Sequence, residues 1–133
     1  SNLESFDEQS SFIDTFRSIH RRYDLLRTLL WIESIDLREK CGAEFHTVVY
    51  LYDYEPDSVE QEARQDLYAS VTGELKNRQD NVLLIPIAVN LDISSLDLII
   101  AEYSLENFPV IIIDETYVID GLITIKDLEE VII

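Results

Sequence analysis

The chain has a single cysteine, Cys41, among its 133 residues. One thiol cannot close a disulfide within the chain, and it cannot build a cysteine-based zinc site. A lone cysteine is most often a small buried apolar residue, and we expect this of Cys41. The alternative left open is a mixed disulfide with a partner, which makes Cys41 the candidate intermolecular thiol.

Long hydrophobic runs are also absent. The apolar segments VLLIPIAV and FPVIII are far shorter than the roughly 20 residues of a membrane-spanning helix, and no signal-peptide pattern is present. We therefore expect no direct membrane insertion. The sequence begins SNLESF without a methionine, so an extracytoplasmic location, tethered by a segment outside this sequence, stays open. No residue fixes the compartment.

Basic residues are few. Ten Lys and Arg stand against 27 Asp and Glu, and the net charge of -17 repels nucleic-acid phosphates and anionic lipid headgroups. We expect no nucleic-acid partner. With 47% hydrophobic residues and only three Gly and three Pro, the composition is that of an ordered globular protein, and the length fits one domain.

Apolar side chains in the first forty residues recur at alternating intervals of four and three, the spacing of one helical stripe. They are Phe12, Phe16, Ile19, Tyr23, Leu26 and Leu30. We predict a helix over residues 10–39, capped by Ser10 or Ser11 and stopped at Gly42, with this stripe and Trp31 folded onto the sheet. The same spacing permits a homodimer through the N-terminal helix.

Strand and helix patterns alternate through the rest of the chain. FHTVVYLYDY and DNVLLIPIAVNLD predict buried strands, and Pro86 favours a bulge or a less central position for the second. Between them a helix is predicted after Pro56, with an apolar stripe at Val59, Ala63, Leu67, Val71 and Leu75. The first two strands, joined through a helix, are predicted to be parallel.

The last third of the sequence predicts a helix, a hairpin and a final helix. Ser94 or Ser95 is expected to cap the helix in SSLDLIIAEYSL, and Thr124 with Asp127 to form a capping box before the last helix. FPVIIID and TYVIDG predict two antiparallel strands joined by a short turn. The fold class is therefore α/β, with the order α, β-α-β-α, β-β-α.

This order and the segment NFPVIIIDETYVIDGLITIKDLEEVI resemble the C-terminal half of the thioredoxin superfamily. The resemblance implies a thioredoxin-like fold, βαβ-α-ββα, whose mixed four-stranded sheet is flanked by helices. It also implies that residues 43–133 form that domain, with residues 1–42 as a long N-terminal helical extension packed on it. A proline in a cis peptide precedes the third strand in this family, and Pro109 takes that place.

The same resemblance puts Glu55, Pro56, Asp57 and Ser58 where the family carries its C-x-x-C motif. Thiol–disulfide exchange needs a thiolate and a second, resolving thiol, and a carboxylate and a hydroxyl supply neither. We therefore predict a domain that is not an enzyme and has no cofactor. Ser58 as a nucleophile would need His20 or His46 as a base, and we prefer it as a helix cap.

A binding role is the function that these features favour. Tyr54, Phe108 and Pro109 are the candidate lining of a groove for an extended peptide, so we expect a protein or peptide partner and a scaffolding role. Acidic residues around Glu55 and Asp57 leave cation binding as an alternative, although no EF-hand spacing is present and no metal ligand is assigned. A redox protein that uses Cys41 with a partner thiol is the other alternative.

Overall fold

The computed structural model describes residues 2–42 and 44–132, with side chains from residue 9 onward. Within this part the chain forms four helices and four strands. In chain order they are α1 (Asn2–Cys41), β1 (His46–Asp53), α2 (Val59–Arg78), β2 (Val82–Val89), α3 (Ser94–Glu102), β3 (Val110–Ile113), β4 (Tyr117–Ile119) and α4 (Ile125–Ile132). The expected domain boundary at residue 43 and the chain ends at residues 1 and 133 lie outside the described residues.

The strands form one mixed sheet in the order β2-β1-β3-β4. β1 pairs in parallel with β2 and antiparallel with β3, and β3 pairs antiparallel with β4. These directions confirm the predicted ones, because the long β1–β2 connection contains a helix whereas β3 and β4 meet in a tight turn. Asp114 and Glu115 form that turn with φ of 52° and 59°, the left-handed backbone that short hairpins favour.

Helices cover both faces of the sheet. On one face Val49, Leu51, Ile85 and Ile87 pack with Trp31 of α1 and with α3. On the other face residues of β1 and β3 pack against α2 and α4, with Tyr68, Leu75, Ile111 and Leu128 fully buried. The sequence therefore folds as an α/β domain with a mixed four-stranded sheet, and the long N-terminal helix contributes to its core.

The side of α1 that faces the sheet differs from the prediction. Asp24, Thr28 and Trp31 are fully buried and Ser34 nearly so. The apolar residues of the predicted stripe, which we call the α1 stripe, are 46 to 71% exposed instead: Phe12, Phe16, Ile19, Tyr23, Leu26 and Leu30. The expectation for Trp31 is confirmed and that for the α1 stripe is wrong: the helix packs Trp31, with Leu25 and Ile35, against the core and turns the stripe outward.

Those polar contacts join α1 to backbone carbonyls around the end of β2. Arg21 Nε donates to Leu91 O at 2.8 Å, and its NH2 donates to Asp92 O at 2.8 Å. Arg17 NH2 donates to Asn90 O at 3.1 Å. Charge-assisted hydrogen bonds of this kind are about twice as strong as neutral ones, so they hold the arginine side of the helix toward the domain.

β2 lies at one edge of the sheet, which agrees with the less central position predicted from Pro86. Pro86 has no N–H to offer, and its carbonyl accepts from Arg27 NH1 at 3.3 Å. Two residues later, the Ala88 N–H donates to Asp24 Oδ1 at 3.1 Å. Side chains of α1 thus bind backbone groups along this edge strand.

Several local predictions need correction. The residues of α2 buried against the sheet are Gln65, Tyr68, Val71, Thr72 and Leu75, whereas Val59 and Leu67 of the predicted stripe are exposed. α1 begins before Ser10 and Ser11, so neither caps it. The N-cap of α3 is Ile93, with no side-chain cap. Cys41, expected to be buried, is exposed at the end of α1.

One further local prediction holds, at the start of the last helix. The capping box is confirmed, since Thr124 N donates to Asp127 Oδ2 at 2.8 Å and Asp127 N donates to Thr124 Oγ1 at 3.3 Å. Among the described residues, no helix is both long enough and apolar enough to cross a bilayer.

Candidate functional site

The candidate site lies where β1 ends and α2 begins. Ser58 has extended backbone geometry, and its hydroxyl oxygen accepts from the Gln61 N–H at 3.1 Å. This is an N-cap, which satisfies one of the free amides of the first helical turn. Glu60 and Glu62 follow in that turn, where carboxylates complement the positive end of the helix dipole. Ser58 is therefore held as a structural cap.

A cleft of about 480 Å³ opens beside this helix start. Its walls come from the first turns of α2, from the loop before β3 and from the residue that follows β4. The lining residues are Asp57, Ser58, Glu60, Gln61, Arg64, Asn107, Phe108, Pro109 and Asp120. We call this the α2–β3 cleft. It brings Asp57 and Ser58 of the predicted site together with Phe108 and Pro109, and the Phe108–Pro109 peptide bond is cis.

The lining of this cleft does not include three residues of the predicted site, Tyr54, Glu55 and Pro56. The Tyr54 ring packs edge-on against His20, with ring centroids 4.8 Å apart, and the Arg17 guanidinium lies 5.8 Å from the Tyr54 centroid. Arg17 also approaches Glu55 Oε1 at 3.9 Å. Tyr54 and Glu55 therefore contact α1.

Pro56 and Tyr54 also line a second cleft, of about 380 Å³, which contains Tyr50 and Tyr52. The Tyr50 and Tyr52 rings stack with centroids 5.1 Å apart. Burial raises the pKa of both phenols above the ordinary value near 10, and a neighbouring acidic group, Asp24, adds to the increase at Tyr52. Both phenols therefore keep their protons to a higher pH than an exposed tyrosine does.

Asp53, the last residue of β1, organises the floor of the site. One of its carboxylate oxygens accepts from the Gln61 side-chain amide and the other from the Asn90 amide. Gln61 Nε2 also donates to the Phe108 carbonyl at 3.0 Å. A single glutamine thereby joins the end of β1 to the loop before β3, which sets the width of the α2–β3 cleft.

Gln65 fixes the same strand end from the helix side. Its Oε1 accepts from the Asp53 N–H at 2.7 Å, and its Nε2 donates to the Asp53 carbonyl at 3.3 Å. Both backbone groups of Asp53 are satisfied by one buried side chain, as a neighbouring strand would satisfy them. α2 is therefore locked in place on β1 next to the cleft.

Neither histidine pairs with Ser58. His20 Nδ1 lies 2.5 Å from Asp24 Oδ2, and His46 Nδ1 lies 2.6 Å from Asp114 Oδ2 at the β3–β4 turn. The Ser58 oxygen has the Gln61 amide as its described partner. The arrangement lacks the hydrogen bond between hydroxyl and base that activates a serine nucleophile.

The chemistry of the cleft is acidic and polar. Asp57, Glu60 and Asp120 stand against one cation, Arg64, and Phe108 with Pro109 supplies an apolar wall. In the part of the chain that the structure describes, no three His, Cys, Asp or Glu residues are placed to hold a metal ion together. These groups can attract a positively charged ligand and can pack against an apolar portion of it.

Six residues of the site were not singled out from the sequence: Gln61, Arg64, Gln65, Asn90, Asn107 and Asp120. Each is an ordinary polar residue at an unremarkable position of a helix or loop, and only the fold brings them together. The one available signal was the position of Gln61 three residues after a capping serine, which is the spacing of a capping box.

Comparison with known proteins gives no match: no family model, no curated protein and no solved structure is similar to this chain.

Proposed function

We propose that this chain is a thioredoxin-like domain without dithiol chemistry, and that it binds an extended, basic peptide segment in the α2–β3 cleft. The fold part of the proposal is supported by the sheet order β2-β1-β3-β4 with parallel β1–β2 pairing and an antiparallel β3–β4 hairpin. A helix that begins a few residues after β1 and a proline directly before β3 add to this support.

The observation that carries the binding role is the composition of the cleft. Three carboxylates and one guanidinium surround an aromatic and a proline side chain. Small-molecule sites are mostly apolar and enclose their ligand, whereas this cleft is open and predominantly polar. An extended peptide fits it better, because lysine or arginine side chains can pair with the carboxylates while an apolar residue packs on Phe108.

The Phe108 carbonyl is already bound to Gln61, so the peptide has to be recognised mainly through its side chains. Recognition by charge at an exposed cleft is weak and sensitive to salt, because each exposed ion pair contributes about 0.2 to 1 kcal/mol. We therefore expect a transient complex that weakens as ionic strength rises.

Fluorescence anisotropy with fluorescein-labelled peptides of graded lysine content tests this role. The basic peptides should bind, and the double variant Asp57→Asn/Asp120→Asn should weaken binding roughly tenfold, as two lost charge pairs predict. The control variant Glu102→Gln/Glu130→Gln removes the same charge at exposed positions outside the cleft. Equal loss in both variants, or no binding by any peptide, would contradict the proposal.

An insulin-reduction assay with dithiothreitol tests the chemical part separately. We expect no turnover above the reagent alone, since positions 55 and 58 carry oxygen and not sulfur. A measurable rate that survives Cys41→Ser would overturn the absence of redox activity, whatever the outcome of the peptide experiment.

A further inference from the structure

The α1 stripe is a large exposed apolar surface. Its residues are 46 to 71% exposed, and two further exposed apolar residues, Ile13 and Leu29, flank it on either side. Single exposed apolar residues are ordinary, whereas a contiguous row of this size marks an interaction surface.

The helix cannot turn this row onto its own sheet. Arg17 and Arg21 are bound to carbonyls after β2, and Trp31 with Arg38 is bound to Glu115 at the β3–β4 turn. These contacts lie along more than five turns of α1 and involve the side of the helix that is turned toward the domain. Rotation of the helix would break all of them, so the apolar row has to be covered from outside.

We propose that the α1 stripe binds a second copy of this chain in an antiparallel helix pair. The intervals of four and three between its residues are those of the a and d positions of a coiled coil, whose seam fits another helix with the same repeat. The chain itself supplies such a helix, and a two-fold axis makes the same patch complementary to itself.

Charge selects the antiparallel direction. Residues 2–16 contain four acidic and no basic residues, whereas residues 17–30 contain four arginines and one aspartate. In a parallel pair in register, the acidic segment of one copy would lie along the acidic segment of the other, and the basic segments would also meet. Both contacts would be repulsive. An antiparallel pair in which Phe12 of one copy faces Tyr23 of the other, and Phe16 faces Ile19, lays the acidic segment of each copy along the basic segment of its partner. Arg17, Arg21 and Arg27 bind carbonyls of their own domain, so they favour this direction through the field of the segment and not through direct ion pairs across the seam.

The remaining surface gives a second reason for a contact through α1. Six of the ten basic residues of the chain lie on α1 (Arg17, Arg21, Arg22, Arg27, Arg38 and Lys40), so the rest of the domain carries most of the net charge of -17. Two copies repel least where they meet through this helix.

The available area is sufficient for a stable dimer. Aromatic side chains bury roughly 150 to 250 Å² each when fully covered and Ile and Leu somewhat less, and about half of that area remains exposed on each residue of the α1 stripe and on the flanking Ile13 and Leu29. The pair would therefore cover on the order of 800 Å² per copy, which is the size of a standard specific interface.

Sedimentation velocity over a concentration series tests the dimer. The parent protein should approach twice the chain mass of 15.4 kDa. Phe16→Ser/Ile19→Ser should weaken self-association by at least about 100-fold, because four apolar side chains per dimer lose their burial. The control Leu98→Ser/Leu122→Ser alters two residues that are 73% and 88% exposed elsewhere, and it should leave the dimer intact.

Because the substituted residues are exposed in the single chain, circular dichroism should show that every variant remains folded. A parent protein that stays at 15.4 kDa up to about 100 µM, a concentration at which interfaces of this size associate, would overturn the proposal. So would a dimer that Phe16→Ser/Ile19→Ser does not weaken.

Pulsed electron-spin resonance tests the direction of the helices. A spin label on Cys41 should give a separation of about 70 Å in the antiparallel pair, from a rise of 1.5 Å per residue along each helix. A label on Ser18→Cys in a Cys41→Ser background lies next to the two-fold axis and should give less than about 25 Å. Short distances at both positions would show a parallel pair and would overturn the proposed arrangement.

Discussion

The indole N–H of Trp31 donates to Glu115 Oε1 at 3.0 Å and so binds the middle of α1 to the β3–β4 turn. The same carboxylate accepts from Arg38 NH1 at 2.8 Å and from Thr47 Oγ1 at 2.8 Å. One acidic side chain thereby connects α1, β1 and the hairpin. Since Glu115 lies in a backbone turn with positive φ, its position is fixed by the hairpin and not by the helix.

Glu115→Gln should destabilise the fold by about 2 kcal/mol. The amide keeps the volume of the side chain but loses the charge opposite Arg38, and its NH2 end cannot accept from Trp31 or Arg38. Urea unfolding followed by the fluorescence of Trp31, the single tryptophan, measures the loss. Glu102→Gln is the matched control at an exposed site, and a loss in that control of similar size would contradict the assignment.

Asp24→Asn should cost about 3 kcal/mol, more than an ordinary surface substitution on the same helix. The Asp24 side chain is fully buried and holds His20, Arg27 and the Ala88 N–H, so its replacement leaves buried donors without a charged acceptor. Asp14→Asn, at an exposed position of α1, is the control. Urea titrations measure the free energy of unfolding of both variants. An equal loss of stability in Asp24→Asn and Asp14→Asn would show that the buried contacts of Asp24 contribute little.

Stability should fall above pH 10. Burial raises the pKa of Tyr50, Tyr52, Tyr68 and Tyr103 in the folded chain, whereas the unfolded chain releases its phenolic protons near pH 10. The folded state binds more protons in that range, so the stabilisation is complete below pH 10 and is lost as pH rises toward the folded-state pKa values. Unfolding free energies at about pH 9 and about pH 11 measure the loss.

The variant Tyr50→Phe measures how much Tyr50 alone contributes to the loss of stability at alkaline pH. At neutral pH it should cost about 1 kcal/mol, since the Tyr50 hydroxyl donates to the Gln65 carbonyl at 2.6 Å. Above pH 10 the variant should lose less stability than the parent, because one titrating phenol is gone. Tyr117→Phe, at an exposed position, is expected to change neither value, and an unchanged alkaline slope in Tyr50→Phe would refute the role of Tyr50.

Ser58→Ala should lower stability by about 1 kcal/mol, the usual cost of losing an N-cap side chain. Ser94→Ala is the informative comparison, because α3 also begins near a serine but has no side-chain cap. The substitution at position 94 should be close to neutral. Thermal unfolding of the two variants compares them directly, and equal shifts in the melting temperature would mean that the Ser58 hydrogen bond has no special value.

Strand positions and directions were predictable from the sequence. VVYLY and VIII are apolar runs bounded by turn residues, and such runs indicate strands buried on both faces. The length of the connection then decides the strand direction, since a helix separates β1 from β2 whereas three residues separate the hairpin strands. These are local properties, and they do not depend on which distant residues finally meet.

The orientation of α1 was not predictable in the same way. Periodicity identifies an apolar stripe but does not say what covers it, and the competing face of the helix is held by arginines bound to carbonyls of residues 90–92. Such contacts join positions about seventy residues apart and have no signature in spacing. In α2, the buried side chains of Gln65 and Tyr68 likewise make long-range hydrogen bonds, to the Asp53 backbone and to the Gly121 carbonyl, that periodicity does not reveal.

The candidate site was predictable in part. The acidic residues and the helix cap followed from local chemistry at positions 55–58, and the resemblance pointed to Phe108 and Pro109. The role of Gln61 could not be predicted, because its side-chain amide binds Asp53 and also the Phe108 carbonyl, which lies 47 residues further along the chain. The separation of Tyr54 from the cleft was missed as well, since it depends on α1 lying beside that residue.

The edge strand β2 has a consequence for how this protein resists aggregation. An open edge offers free amides and carbonyls to any extended chain and so provides a template for fibrils. In β2, Pro86 has no N–H and its carbonyl accepts a hydrogen bond from Arg27. The Ala88 N–H donates to Asp24. A foreign strand that added to this edge would have to displace a buried carboxylate. At the protected stretch of β2, the chain is closed to strand addition.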